Sequence, residues 1–238
     1  MITEKEGVNN MKRKSFRVLA LLLIAGLLCT FTVPENVQAA SVKKKLKSLV
    51  NCMSSFEFDL LVFNDIELNE VREVTLNKSV MAKAAALNCS WTYVTQFGEW
   101  GFEALYSVPS KSIKKMAKKM FGKTVTYKSL PKGSAEEAMG FVDAYLNADG
   151  TPEIYVWEGE TETDYETVKT TYKKTDKGYD VIRDIFCGYW GINEYYKGKK
   201  ANYRVTYHTE KNKASSYGYV ITGMTIEKIA ELTLPDEG

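Results

Sequence analysis

The chain has 238 residues, with 32 Lys or Arg against 30 Asp or Glu, four cysteines and a single histidine. One histidine, His208, excludes His-based zinc sites, and the cysteines lack C-x-x-C spacing, so no metal and no cofactor are expected. The balanced total conceals an asymmetry: residues 40–133 hold 15 basic and 8 acidic side chains, and residues 134–238 hold 12 and 19.

Lys12, Arg13, Lys14 and Arg17 make a basic n-region, Val18 to Leu28 an apolar h-region, and Val37-Gln38-Ala39 an A-x-A-like cleavage site. The apolar run is shorter than the roughly 20 residues a membrane span needs. Residues 1–39 therefore read as a secretory signal peptide cut near Ala39, giving a secreted or cell-surface protein with no membrane span. The rest suits one domain of ordinary size: a mostly helical half over 40–133 and an antiparallel β half over 134–238.

Ser41 to Ser54 has helical spacing in Val42, Leu46, Leu49, Val50 and Met53. Phe56 to Phe63 is a dense apolar run, either buried helix or strand. Asn69 to Leu87 returns to helical composition. The aromatic-rich Trp91 to Tyr106 is expected to anchor a helix to the core. Ser110 to Phe121 predicts an amphipathic helix capped by Ser110, with Ile113, Met116, Ala117, Met120 and Phe121 on one stripe. Gly122 then stands where a left-handed cap is wanted.

Beyond Gly133 the period becomes two. Met139–Leu146 and Pro152–Glu158 flank the hairpin signal Asp149-Gly150. Tyr165 to Lys173, Tyr179 to Phe186, Ala201 to His208 and Tyr217 to Ile229 alternate as strands. Thr175-Asp176-Lys177-Gly178 joins the first two of them, with Gly178 free to take a positive φ. The expected fold is α+β, with N-terminal helices packed on one face of a roughly six-stranded antiparallel meander sheet. The stretch Ser215-Ser216-Tyr217-Gly218-Tyr219-Val220-Ile221-Thr222-Gly223-Met224 resembles the last strand of small exported domains of unknown function from Gram-positive bacteria. A helix ahead of a curved antiparallel sheet also resembles the cystatin-like or NTF2-like layout, which implies architecture and no particular activity.

Catalytic and nucleotide motifs are missing: no G-x-x-x-x-G-K-[ST], no G-x-G-x-x-G, no G-x-S-x-G. Asn147-Ala148-Asp149-Gly150 fails as a calcium loop, because Tyr145 and Val156 occupy the positions that need carboxylates. His208 reads as an exposed strand histidine, and Cys187 as a buried inert thiol. Export permits a disulfide without requiring one; Cys52 and Cys89 are the pair it would join. Paired carboxylates remain possible, since residues 134–168 contain ten acids and no base, and Glu99 stands beside Trp100.

Two surface features are candidate binding sites. The first is the lysine face of the 110–121 helix, Lys114, Lys115, Lys118 and Lys119; residues 107–133 hold eight lysines and no acid. The second is the aromatic loop with Tyr189, Trp190, Tyr195 and Tyr196, whose rings suit sugars or peptides. The leading expectation is an exported, non-enzymatic binding or scaffolding domain at the cell envelope. Its partner would be an anionic envelope polymer, a carbohydrate or a peptide, and no nucleic acid. The alternative is a small carboxylate-dependent hydrolase acting on a wall polymer.

Overall fold

The computed structural model describes residues 35–63, 66–98, 102–138, 140–158, 163–189, 196 and 200–232. The chain divides into two compact units, Met1–Lys44 and Lys45–Gly238. Of the first, only the opening turns of helix α1 (Glu35–Asn51) are described.

Among the described residues four α-helices run α1, α2 (Ser54–Phe63), α3 (Lys78–Leu87) and α4 (Ser110–Phe121). The apolar run from Phe56 resolves as helix. Asn77 starts α3, its side-chain oxygen accepting from the Val80 N–H at 2.9 Å and so satisfying one orphan donor of the first turn. The buried alanines Ala82, Ala84, Ala85 and Ala86 let neighbouring elements approach this helix closely. On α4, Ile113, Ala117, Met120 and Phe121 are buried as the spacing predicts. Its cap differs from the expected one. Pro109 is the N-cap residue and supplies no side-chain hydrogen bond, so Ser110 is already helical. Gly122, at φ +68°, closes the helix by donating to the Lys118 carbonyl at 3.0 Å.

The fold is α+β with antiparallel sheets, as expected, but the described residues form nine strands in two sheets. The five-stranded sheet has the order β1 (Val71–Val74), β9 (Tyr219–Lys228), β8 (Tyr203–Lys211), β7 (Gly178–Tyr189), β6 (Thr163–Lys174). The four-stranded sheet has the order β2 (Thr92–Phe97), β3 (Glu103–Ser107), β5 (Pro152–Trp157), β4 (Val142–Leu146). The predicted hairpins β4–β5 and β6–β7 are present, the second with a β-bulge between Thr167 and Lys169. The aromatic segment from Trp91 to Tyr106 supplies β2 and β3 rather than serving mainly as a helix anchor, although Trp91 Nε1, ahead of β2, donates to the Ala86 carbonyl of α3 at 3.0 Å. Val71–Val74, inside a stretch of helical composition, is a strand because β9 offers it a paired edge.

Helix α2 meets both sheets. The Phe58 ring stacks on Phe141, just before β4, at 5.3 Å, and stands edge-on to Tyr165 of β6 at 5.4 Å. Such geometries add roughly 0.5–1.5 kcal/mol each beyond area burial. Under the helices, β7 buries Val181, Arg183 and Ile185 at alternate positions, beside Val205 and Tyr207 of β8.

Gly178 is required for a different reason from the one its turn suggested. It is absent from the positive-φ glycines, but a Cβ at this position would sit 2.1 Å from the Thr209 carbonyl oxygen. Backbone cannot yield as a side chain tip can. Gly178→Ala is therefore expected to destabilise by about 1–3 kcal/mol, read as a lower urea midpoint, whereas Gly150→Ala, with open space around it, pays only the strain of its φ of +75°. Equal midpoints for Gly178→Ala and the parent chain would contradict this.

Candidate functional site

The buried stripe of α4 dictates where its lysines go. Lys111, Lys114, Lys115 and Lys118 are exposed, on the flanks and far side. Lys119 is half-buried, its Nζ 4.5 Å from the centre of the Tyr217 ring in a cation–π contact. Among the described residues, Lys83, Lys177 and Lys228 make ion pairs, and no lysine of α4 does. Four of the eight lysines between residues 107 and 133 thus form one outward cluster without an acid in that stretch.

The aromatic candidates fare differently. Tyr189 is 65 % exposed at the end of β7 and borders a pocket of about 340 Å³ with Phe63, Thr163 and Tyr203. Tyr196 lies 5.4 Å from the Lys200 Nζ, measured at the ring centre. Trp190 and Tyr195, like Glu99, lie outside the described residues. Cys52, Cys89 and Cys187 are free thiols. Burial pushes the Cys187 thiol up to about 12 and the Cys89 thiol up to about 11, as inert cysteines require. Cys52 Sγ faces the Tyr217 hydroxyl at 3.1 Å. His208 Nδ1 is 2.9 Å from Asp180 Oδ1, half-exposed in an ordinary strand pair.

Sequence reading missed the polar chemistry of α2. Glu57 is 0 % exposed and Arg183, across from it on β7, is 5 % exposed. Arg183 Nη1 donates to Glu57 Oε2 at 3.2 Å and to Ser54 Oγ at 3.3 Å, and Nη2 donates to the Tyr165 hydroxyl at 3.2 Å and to Thr167 Oγ1. The hydroxyls of Tyr165 and Tyr207 each donate to one carboxyl oxygen. Burial raises the Glu57 carboxyl, opposed by the Arg183 guanidinium and both tyrosine hydroxyls. Desolvation of this pair is tolerable only because nearly every polar atom has a partner.

Two residues on, α2 turns a second acid towards the other sheet. Asp59 lines a pocket of about 270 Å³ formed by α2, α3 and the start of β4. Phe56, Leu60, Phe63, Leu87 and Val142 make the apolar walls, and Lys83 and Asp143 complete the lining. Lys83 Nζ holds Asp143 Oδ1 at 2.6 Å, and that same oxygen accepts from the Ala144 N–H at 2.7 Å. Among the described residues Asp59 has no such counterion. Its Oδ1 is buried without a hydrogen-bond partner, and Gly140, at φ +95°, sits over the carboxyl where a Cβ would come within 3.2 Å. Burial, helped by the Asp143 charge, pushes the Asp59 carboxyl up to about 7, against the pull of the Phe141 amide and Lys83. A carboxylic acid poised near neutrality inside apolar walls can hold a proton, or lose it to solvent and meet a bound cation as the carboxylate.

A signal for this site was present in Ser54 to Phe63: two acids, Glu57 and Asp59, inside an otherwise apolar run. Any helix there has to bury at least one of them. No protein-family model, curated protein or solved structure matches the chain.

Proposed function

We propose that the chain is an exported, non-enzymatic binding domain of the cell envelope that attaches to an anionic polymer through the lysine face of α4. One observation carries the reading: Lys111, Lys114, Lys115 and Lys118 are exposed by the same helix whose opposite stripe is locked into the core. Turning the helix would bury them and expose Ile113, Ala117 and Met120, which exposed ion pairs worth about 0–1 kcal/mol each could never offset. The cluster is therefore permanently presented. A row of fixed positive charge attracts polyanions strongly at low ionic strength and weakly once the Debye length shrinks.

The full chain is expected to retain long-chain inorganic polyphosphate at about 0.01 M salt and to release it by about 0.3 M. Changing Lys111, Lys114, Lys115 and Lys118 together to Gln should weaken retention at least tenfold while leaving the melting temperature within a few degrees. Undiminished retention by that variant would remove the lysine face from the function.

The alternative, a carboxylate-dependent hydrolase of a wall polymer, is favoured by one fact, that Asp59 and Asp143 line the same pocket. Against it stands the Lys83 ammonium at 2.6 Å from Asp143, which withdraws that carboxylate from nucleophilic or general-base work.

A further inference from the structure

We propose that the pocket between α2, α3 and β4 is a binding site for a small organic ammonium ion, whose apolar body lies on Phe56, Leu60 and Phe63 and whose charge is met by Asp59. Lys83 and Asp143 neutralise each other at 2.6 Å. Among the described residues these are the charged groups that face Asp59, Lys83 from α3 and Asp143 from β4; on α2 itself Glu57 is engaged on the other side by Arg183. The ionised Asp59 therefore gives the described lining of the pocket one net negative charge. An anionic ligand is repelled by that charge and a neutral one leaves it unbalanced.

Burial points the same way. Asp59 Oδ1 is enclosed and has no hydrogen-bond partner among the described residues, so what the residue offers a ligand in the pocket it lines is its charge. A carboxylate taken out of water without a counterion is costly, and an ammonium brings the missing charge. The walls complete the match. Phe56 and Phe63 bring aromatic rings to the lining, and ring faces attract a cation. The volume of about 270 Å³ holds about nine groups the size of a water molecule, at ~30 Å³ each. That is the size of an arylalkylamine and far below that of a polymer chain.

Binding an ammonium requires the ionised acid. Affinity therefore follows the ionised fraction of Asp59, rising as pH passes about 7, with about tenfold tighter binding at pH 8 than at pH 6. The probe is 2-phenylethylamine, titrated into the full chain by calorimetry, with 2-phenylethanol and 3-phenylpropanoate as neutral and anionic counterparts of the same body. The amine alone is expected to bind, with the pH dependence just given. Asp59→Asn, which keeps the side chain's shape, should reduce amine affinity at pH 8 at least tenfold and abolish its pH dependence. Leu87→Trp, which fills the pocket and leaves the acid intact, should also abolish binding. The proposal is overturned if alcohol and amine bind alike, if Asp59→Asn binds the amine as the parent does, or if no amine binding is found at pH 8. Because this readout involves no polymer, its failure is distinguishable from failure of the lysine face.

Discussion

Arg183→Met should cost about 3–5 kcal/mol of stability at neutral pH, measured by urea unfolding. The substitution leaves Glu57 fully buried with tyrosine hydroxyls for company and no positive charge, and a buried pair broken on one side is penalised on that scale. The variant should be least unstable in acid, where the orphaned carboxyl can take a proton. Removing both partners as Glu57→Leu with Arg183→Met should recover much of the loss, because two apolar groups of similar volume leave no charge to strand. A loss below about 1 kcal/mol for Arg183→Met would mean that water reaches Glu57 after all.

A comparable effect, opposite in sign, is expected at the other acid of α2. An unfolded aspartate titrates near 3.9, whereas in the fold Asp59 is raised to about 7. The folded chain thus holds a proton that the unfolded chain has already released. Its contribution is complete below about pH 4 and is lost as pH climbs through about 7. Allowing for partial solvent access, Asp59→Asn should stabilise the chain at pH 8 by about 2–3 kcal/mol and flatten the decline in melting temperature between pH 4 and 8. An unchanged melting profile would show that Asp59 is ionised at little cost in the native state. A stabilising loss of a charged side chain is the pattern of a site kept for recognition at the expense of stability.

The parts legible in the sequence are those where one periodicity acts alone. The i, i+3, i+4 stripe of α4 fixed both its buried face and the outward direction of Lys114, Lys115 and Lys118. Asp149-Gly150 placed the β4–β5 hairpin, and alternation placed β6 to β9. The segment from Trp91 to Tyr106 was misread because aromatic density serves a helix and a strand equally. Spacing of two between Trp91 and Tyr93, whose rings both reach Tyr106, is the part that distinguishes them. Four residues, Val71–Val74, are too few to show any period, and only their pairing with β9 makes them a strand. The Asp59 pocket was illegible for another reason: Lys83 and Asp143 sit 60 positions apart in the sequence, and their pairing is decided by how α3 and β4 meet. Alternation places Asp143 on a strand but says nothing of its partner.

The pairing of β1 with β9 also sets an order of events. Val71 faces Glu227 and Val74 faces Met224, a separation of about 150 residues, among the longest loops this chain can close. The four-stranded sheet is complete once Trp157 is available, and the β6–β7 hairpin needs nothing beyond Tyr189. Strand β1 must wait for β9 to arrive. Long-range pairings of this kind slow folding, and until then β1 is an unclaimed edge. A chain emerging from one end to the other therefore stays unfinished at β1 until β9 is delivered, which keeps the five-stranded sheet open for all the intervening residues.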